Sequence, residues 1–215
     1  METKAATSAP RTARAIARSE LTQAILTSAR RQLGEVGPAQ LSVRAVAREL
    51  GMASSAVYRY FPSRDALLTA LIVEAYDDLG EAIEAADAAV RRRSDLRGRL
   101  RAMAQALRTW AIEHPHQYAL TYGSPVPGYA APTDTVVPAT RSAFALLRLF
   151  ADAQQAGRRP LGPERVTAAE KAALAPGMDY VDPPLSPAYA VRGVAVWSAL
   201  FLADYFEQPI YAMAV

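Results

Sequence analysis

The chain has 215 residues, 51% of them hydrophobic and 21% charged, with a mean hydropathy near zero. That is enough for one or two domains with a real core, and it is the composition of a soluble globular protein. With no cysteine and two histidines, His114 and His116, disulfide frameworks, thiolate nucleophiles, iron–sulfur clusters and cysteine-ligated zinc are excluded, and little remains for a hydrolytic triad. The longest apolar stretch, around 193–203, is interrupted by Arg192, Ser198 and Asp204, well short of the roughly 18 residues that cross a bilayer.

Residues 1–69 hold ten Lys and Arg against five Asp and Glu, whereas residues 70–215 hold fourteen against sixteen. A basic module joined to a near-neutral remainder suits a chain of which one part meets a polyanion; an unevenly charged solvated surface is the alternative.

Residues 1–17 have basic and small polar side chains with little apolar periodicity and are expected as a flexible arm, an Arg-rich transit peptide being the alternative. Leu21, Ile25, Ala29 and Leu33 predict a first helix from Ser19, as N-cap, to about Glu35, stopped by Gly34, Gly37 and Pro38. Ser42 caps a short second helix carrying Val43, Val46, Ala47 and Leu50, with Gly51 just past its end. A third runs from about Ser54 to Tyr60. Ser63 caps a fourth, whose stripe from Leu67 and Leu68 reaches Ile83 and Ala86 and ends near Val90. Its Asp77-Asp78 pair is placed on the outward face, in solvent.

Leu96, Leu100, Met103, Leu107 and Trp110 predict a fifth helix to His114-Pro115, followed by a short helix at 116–122 and a Pro/Gly-rich loop at 123–133. The His114/His116 pair is too tight and isolated for a zinc site. A long helix is expected at 135–156, with Pro138 in its first turn. A linker at 157–166 follows, then a brief helix opened by a Thr167/Glu170 capping box, a second Pro-rich loop at 176–187, and a last helix at 188–206. That helix places Val194, Trp197, Phe201 and Tyr205 on one face and Val191, Ala195, Ser198, Leu202 and Phe206 on another, so it must be buried on two sides. One side would meet its own domain and the other a second copy. No segment sustains period-2 alternation, and the chain reads as all-α.

Residues 42–60 meet a demanding pattern. Two short helices crossing at a tight turn need a small residue at the crossing, a turn glycine and apolar side chains at fixed offsets; here these are Ala47, Gly51, and Val46, Leu50, Met52 and Val57. With the helix before it, the stretch LSVRAVARELGMASSAVYRYFPSRDALLTAL (41–71) resembles the N-terminal DNA-binding domain of the tetracycline-repressor (TetR/AcrR) family of bacterial transcription regulators, including the aromatic run Tyr58-Arg59-Tyr60-Phe61. It departs at Ala53, where relatives commonly carry a Ser or Thr that caps the recognition helix. Either Ser54 takes over that cap or the helix starts loosely, at a cost of order 1 kcal/mol.

In a recognition helix the exposed N-terminal side chains meet base edges while hydroxyls and basic groups around them hold phosphates. Ser54, Ser55 and Arg59 are therefore expected at the groove, Ala56 in close approach to a thymine methyl, and Tyr58 and Tyr60 as phosphate donors. Tyr58 as a core aromatic is the alternative, and Phe61 is expected in the core. Arg44 is the candidate for bidentate guanine reading, with Ser42 and Arg64 on the DNA backbone, Arg64 beside the positive end of the fourth helix. Arg11, Arg14 and Arg18 would either add minor-groove or phosphate contacts or merely solubilise the arm.

Residues 91–215 lack catalytic spacing but are rich in aromatic and apolar side chains. Trp110, Tyr118, Tyr122, Phe144, Leu147, Arg148, Trp197 and Phe201 are the candidate lining of a ligand pocket, core packing being the alternative for each. The segment TWAIEHPHQYALTYGSPVPGY (109–129) resembles the ligand domain of a TetR subgroup often called WHG-type.

The expected architecture is a basic arm at 1–17, a three-helix DNA-binding domain with a helix–turn–helix at 18–64, and a helical ligand-binding and dimerisation domain at 65–215. The resemblance implies a cytoplasmic homodimer on a double-stranded DNA operator, acting as a repressor that a small apolar effector releases. No enzyme activity, cofactor, metal or membrane partner is implied. The alternative is a helical binding module or enzyme with a vestigial helix–turn–helix.

Overall fold

A computed structural model of the chain describes residues 13–123, 125–158, 166–178 and 184–207, without the side chains of 176–178 and 201–207. It contains α1 (Ala13–Val36), α2 (Val43–Glu49), α3 (Ser54–Tyr58), α4 (Arg64–Ala89), α5 (Leu96–Glu113), α6 (Pro115–Tyr122), α7 (Val136–Gln155), α8 (Ala168–Met178) and α9 (Pro187–Glu207), with 3-10 turns at Pro38–Gln40 and Thr133–Thr135. No strand occurs among the described residues, and the fold is all-α. It divides into two compact units, Met1–Leu71 and Ile72–Val215, the division falling within α4.

In the first unit, Ile25, Ala29 and Leu33 of α1, Val43, Val46 and Ala47 of α2, Val57 of α3 and Leu67, Leu68 and Leu71 of α4 are buried. α1 begins at Ala13 and takes in five residues assigned to the arm, so Ser19 lies inside the helix instead of capping it. The stretch from Ala13 to Arg18 is built from strong helix formers, with no breaker before Gly34. Ser42 caps α2 as its spacing predicts, its Oγ accepting from the Ala45 amide at 3.4 Å. At the other end Gly51 takes φ 65°, and two bonds close the helix: Gly51 N–H to the Arg48 carbonyl at 3.2 Å and Met52 N–H to the Ala47 carbonyl at 2.8 Å. This is the Schellman pattern, which needs a left-handed residue at that position.

The second unit packs α7 against α9 and α5, and α6 against α5. Its main core joins Leu79 and Ile83 of α4, Met103, Leu107 and Trp110 of α5, Tyr118 of α6 and Leu146 and Leu149 of α7, with Val196, Trp197 and Leu200 of α9 set against it. A second cluster gathers Leu147, Ala151, Leu185 and Ala190. The α9 faces differ from the sequence reading: Trp197 packs on the core, while Val194, assigned to the same face, is 37% exposed. Gly193 sets the seam. A Cβ there would overlap Leu147 Cδ2, so α7 and α9 approach along the glycine, and the helix is rotated accordingly. α8 opens with the predicted capping box: Thr167 N–H to Glu170 Oε2 at 2.8 Å and Glu170 N–H to Thr167 Oγ1 at 3.2 Å. It runs on to Met178, into residues read as loop.

Charge is organised within this unit. Arg99 of α5, 2% exposed, donates from Nε to Asp87 Oδ1 of α4 and from Nη1 to Asp152 Oδ2 of α7, both at 2.6 Å. Arg93 adds a bond to Asp87 Oδ2 at 2.6 Å. Burial pushes the Asp87 carboxyl up, but the bonds from Arg99 and Arg93 outweigh it and hold the group below the ordinary carboxylate range. Nearer the start of α4, Arg141 of α7 reaches Glu84 Oε2 at 2.8 Å and the Asp77 carbonyl at 3.0 Å, its stem lying over Gly80 where a Cβ would clash. Asp77 is thus an ion-pair partner of Arg141, at 3.4 Å, and not merely a solvated carboxylate.

Two outcomes follow from this packing. Replacing Arg99 by Met should cost about 3 kcal/mol at neutral pH in urea unfolding, because it removes two of the three guanidinium bonds to the Asp87 carboxylate, leaving Arg93 alone on it, and takes the Arg99 bond from Asp152. Asp87 is depressed when folded, so its contribution is complete above about pH 4 and is lost as pH falls through the folded value; the deficit of the variant should shrink in that range. At α3, Ala53 occupies the N-cap with φ −65°, ψ 137° and no side-chain bond. Ala53→Ser should therefore raise the stability of the first unit by about 1 kcal/mol in the same assay.

Candidate nucleic-acid interface

The helix–turn–helix consists of α2, the Gly51 turn and α3. Because the turn is closed by backbone bonds and Val57 is fully buried, the orientation of α3 is set from beneath and its other side chains are free to face outward. Ser55 and Arg59 are exposed, Tyr58 is 39% exposed, and Ser54, Ala56 and Tyr60 are half-buried. Phe61, at 7% exposure, belongs to the core. α3 proper ends at Tyr58; Tyr60 and Phe61 both donate to the Val57 carbonyl, at 2.9 and 3.0 Å, and carry the turn on. Of the two alternatives at the missing cap, Ser54 is the first helical residue and does not take it over.

The arginines of this unit fall into two classes. Arg31 is neutralised, bonded to Glu49 with Glu35 beside it at 3.8 Å. Arg44, Arg48 and Arg59 are exposed and make no ion pair among the described residues. Arg48 was not singled out from the sequence, although it stands four residues beyond Arg44 on the same side of α2, a neighbour across one helical turn. Exposed guanidiniums without ion-pair partners and the exposed side chains of Ser55 and Tyr58, all on the helix–turn–helix, supply donors suited to phosphate oxygens and base-edge acceptors.

Three candidates have internal duties. The hydroxyl of Ser42 is engaged as the α2 cap. Arg64 donates from Nη2 to the Pro38 carbonyl at 2.7 Å, tying the first turn of α4 to the loop after α1. Tyr60 carries the Arg18 guanidinium over its ring at 4.9 Å, a cation–π contact that joins α1 to the end of the recognition segment. Arg14 is exposed on α1, and Arg11 lies outside the described residues.

In the second unit the aromatic candidates separate. Tyr118 and Tyr122 lie 5.3 Å apart between ring centroids, Tyr122 stands edge-on to Tyr76 at 5.7 Å and to Trp197 at 6.5 Å, and Trp197 Nε1 donates to Ser142 Oγ at 3.4 Å. Burial pushes the Tyr122 hydroxyl well above its ordinary range. Phe144 and Leu147 pack in the second cluster, Arg148 is exposed and bonds Glu84 Oε1 at 2.9 Å, and the side chain of Phe201 lies outside the described residues. Of these candidates Trp110 lines a groove in this unit. That groove, about 520 Å³, runs between α4 and α5 over Ala82, Ala86, Ala89, Ala102 and Ala106. Alanine carries little periodicity signal, and the sequence reading missed it.

Comparison with known proteins covers both units. Residues 25–71 match the family of bacterial regulatory proteins called the tetR family, and residues 100–201 match a tetracyclin repressor-like C-terminal domain. The HTH-type transcriptional regulator Rv1816 of Mycobacterium tuberculosis (strain ATCC 25618 / H37Rv) is 49% identical over 144 residues, 66% of this chain and 58% of that protein; Mb1846 of Mycobacterium bovis gives the same figures. The match thus spans little more than half the length of these curated relatives. Among solved structures, the protein SCO4313 aligns over 93% of this chain and 87% of its own, with a TM-score of 0.72 at 31% identity. A Rhodococcus sp. RHA1 protein of unknown function aligns over 85% and 94%, with a TM-score of 0.58 at 28% identity. With a helix–turn–helix unit followed by a helical second unit, each matched by its own family model, the chain belongs to the TetR family of bacterial regulatory proteins.

Proposed function

We propose that the protein is a DNA-binding transcription regulator that reads a palindromic operator as a two-fold homodimer and leaves it when a small molecule binds the second unit. The observation that carries this reading is the set of exposed arginines without ion-pair partners on the helix–turn–helix, Arg44, Arg48 and Arg59, which also exposes Ser55 and Tyr58. In the proposed complex Arg44 reads a guanine edge, Ser55 and Ala56 sit at the bases, and Arg48, Tyr58 and Arg59 hold phosphates. Two such helices about 34–36 Å apart would enter successive major-groove turns, which is why a two-fold dimer suits a palindrome.

Support for the dimer comes from the apolar surface left over in the second unit. Val137 at the start of α7 is 78% exposed, and Val194, Ala195 and Ala199 of α9 are exposed after one face of that helix has met its own core. Repression follows if the effector-bound dimer spaces its recognition helices wrongly for DNA. A coupling of about 1–3 kcal/mol changes operator affinity 5–150-fold, and α4, which carries residues of both units, is the element through which it would act.

The test is fluorescence anisotropy on DNA from upstream of the protein's own coding region, at two salt concentrations with nonspecific competitor. Tight binding that survives the competitor is expected. Arg44→Ala should cost about 1–3 kcal/mol on the preferred sequence and relax the preference at one base pair. An equal loss on every sequence would reject base reading by Arg44, and binding that disappears with salt without any preference would reject the regulator reading itself.

A further inference from the structure

The stretch from Arg91 to Thr109, the turn after α4 and most of α5, carries seven arginines against one carboxylate, Asp95. Two of the seven, Arg93 and Arg99, are spent on Asp87. Arg91, Arg92, Arg97 and Arg101 are exposed and make no ion pair among the described residues, in a part of the chain where acidic residues outnumber basic ones. Asp95 is turned to its own helix, its Oδ1 accepting the Gly98 amide at 2.9 Å. Arg97 and Arg101 stand one turn apart on the same side of α5, where like charges repel, and Arg97 lies in the first turn, toward the positive end of the helix. Both placements work against the free protein. The surface around them is polar: every exposed side chain from 91 to 109 is charged, hydroxyl-bearing or an amide. The nearest large apolar side chain in the sequence that is exposed, Ile112, stands eleven residues beyond Arg101.

We propose that this basic stretch is a second DNA-binding surface, one that holds the phosphate backbone of duplex DNA without reading its sequence. Four guanidiniums without carboxylate partners complement a dense polyanion, and one strand of a duplex presents a phosphate about every 3.4 Å of its axis, so the rise of about 6 Å from Arg97 to Arg101 matches neighbouring phosphates. The polar character of the surface separates DNA from other anionic partners. A membrane surface is held by apolar side chains inserted beside basic ones, and a protein partner by aromatic or aliphatic anchors at the centre of the interface; this stretch exposes neither. Interfaces with DNA are polar and strongly positive. The inference goes beyond the function proposed above. There the helix–turn–helix chooses a sequence, whereas this stretch adds salt-dependent affinity for any duplex, and either can fail while the other stands.

The experiment uses the full chain and a random-sequence duplex of about 24 base pairs, read by fluorescence anisotropy between about 50 and 200 mM salt. In a first variant Arg44, Arg48 and Arg59 are replaced together by Ser, which takes the exposed guanidiniums from the helix–turn–helix. Duplex binding is expected to persist there and to weaken about a hundredfold across this salt range, the dependence of about four phosphate contacts. Replacing Arg91, Arg92, Arg97 and Arg101 by Ser in the same background should abolish it, and replacing them by Lys should keep it within a few fold, since a phosphate backbone is held by charge even without the guanidinium fork. A second measurement does not depend on the first variant: the four Ser replacements in the otherwise unsubstituted chain should lower the salt slope by about 3 to 4 per chain and leave any sequence preference as it is. Vesicles of phosphatidylcholine and phosphatidylglycerol serve as the comparison probe and should bind far more weakly than the duplex. A salt slope unchanged by the four Ser replacements, residual duplex binding indifferent to them, or equally tight binding to the anionic vesicles would overturn the proposal.

Discussion

A guanidinium cannot be buried without partners, and Arg99 is almost fully buried. Its fork therefore dictates that Asp87 of α4 and Asp152 of α7 converge on one point of α5. Three helices are thereby pinned in register by bonds that tolerate little rotation, since each uses a different nitrogen of a planar group. Arg141, lying across Gly80 toward Glu84 and Asp77, fixes α4 against α7 a second time. With α4 held at both places, α5 can turn Leu107 and Trp110 into the core while Ala102 and Ala106 remain on the side that faces the groove. A hydrophobic contact alone would permit that helix to slide or roll; the ion pairs do not.

The first unit solves a different problem. Several of its arginines stay exposed and without ion-pair partners among the described residues. Its geometry is accordingly fixed by backbone and core: the Gly51 turn, the Ser42 cap, and Val46, Ala47 and Val57 beneath. Where side chains are spent, as with Arg64 on the Pro38 carbonyl, Arg18 on Tyr60, and Arg31 on Glu49, they join elements around the edge of the motif and leave Arg44, Arg48 and Arg59 open. The uncapped start of α3 is the one place where this frame is slack. Ala53 offers no side-chain acceptor to the first turn of this five-residue helix, where the Ala56 amide turns to the Ala53 carbonyl at 2.9 Å.

How much of this was legible depended on whether the signal was local. Helix order, the α2 cap, the glycine turn and the Thr167/Glu170 box could be read because each rests on residues within a few positions of one another. The start of α1 was misplaced because a good cap residue, Ser19, sits in a run of helix formers that needed no cap there. The faces of α9 were misassigned because the helix is apolar nearly all round, and only a tertiary fact, the approach of Leu147 to Gly193, decides which side is inward. In the helix–turn–helix the exposure of Arg44, Ser55 and Arg59 could be expected from the pattern, whereas the commitment of Arg64 to a carbonyl 26 residues earlier could not.

Arg99 is the instructive case, because its signal was present. It lies three residues after Leu96 and four before Met103, on the stripe that continues to Leu107 and Trp110. An arginine inside an apolar stripe must snorkel out or find carboxylates, and snorkelling is closed to a residue flanked by core positions on both sides. The chain holds enough carboxylates in its second unit to supply them, which also explains the charge asymmetry. There Arg93, Arg99, Arg141 and Arg148 are spent on internal partners, within a unit where fourteen basic residues stand against sixteen acidic ones. In the first unit ten against five leave an excess that no internal carboxylate can absorb. The same residue type is thus a structural pin where a carboxylate stands within reach, as at Arg99 and Arg31, and points outward where none does, as at Arg44.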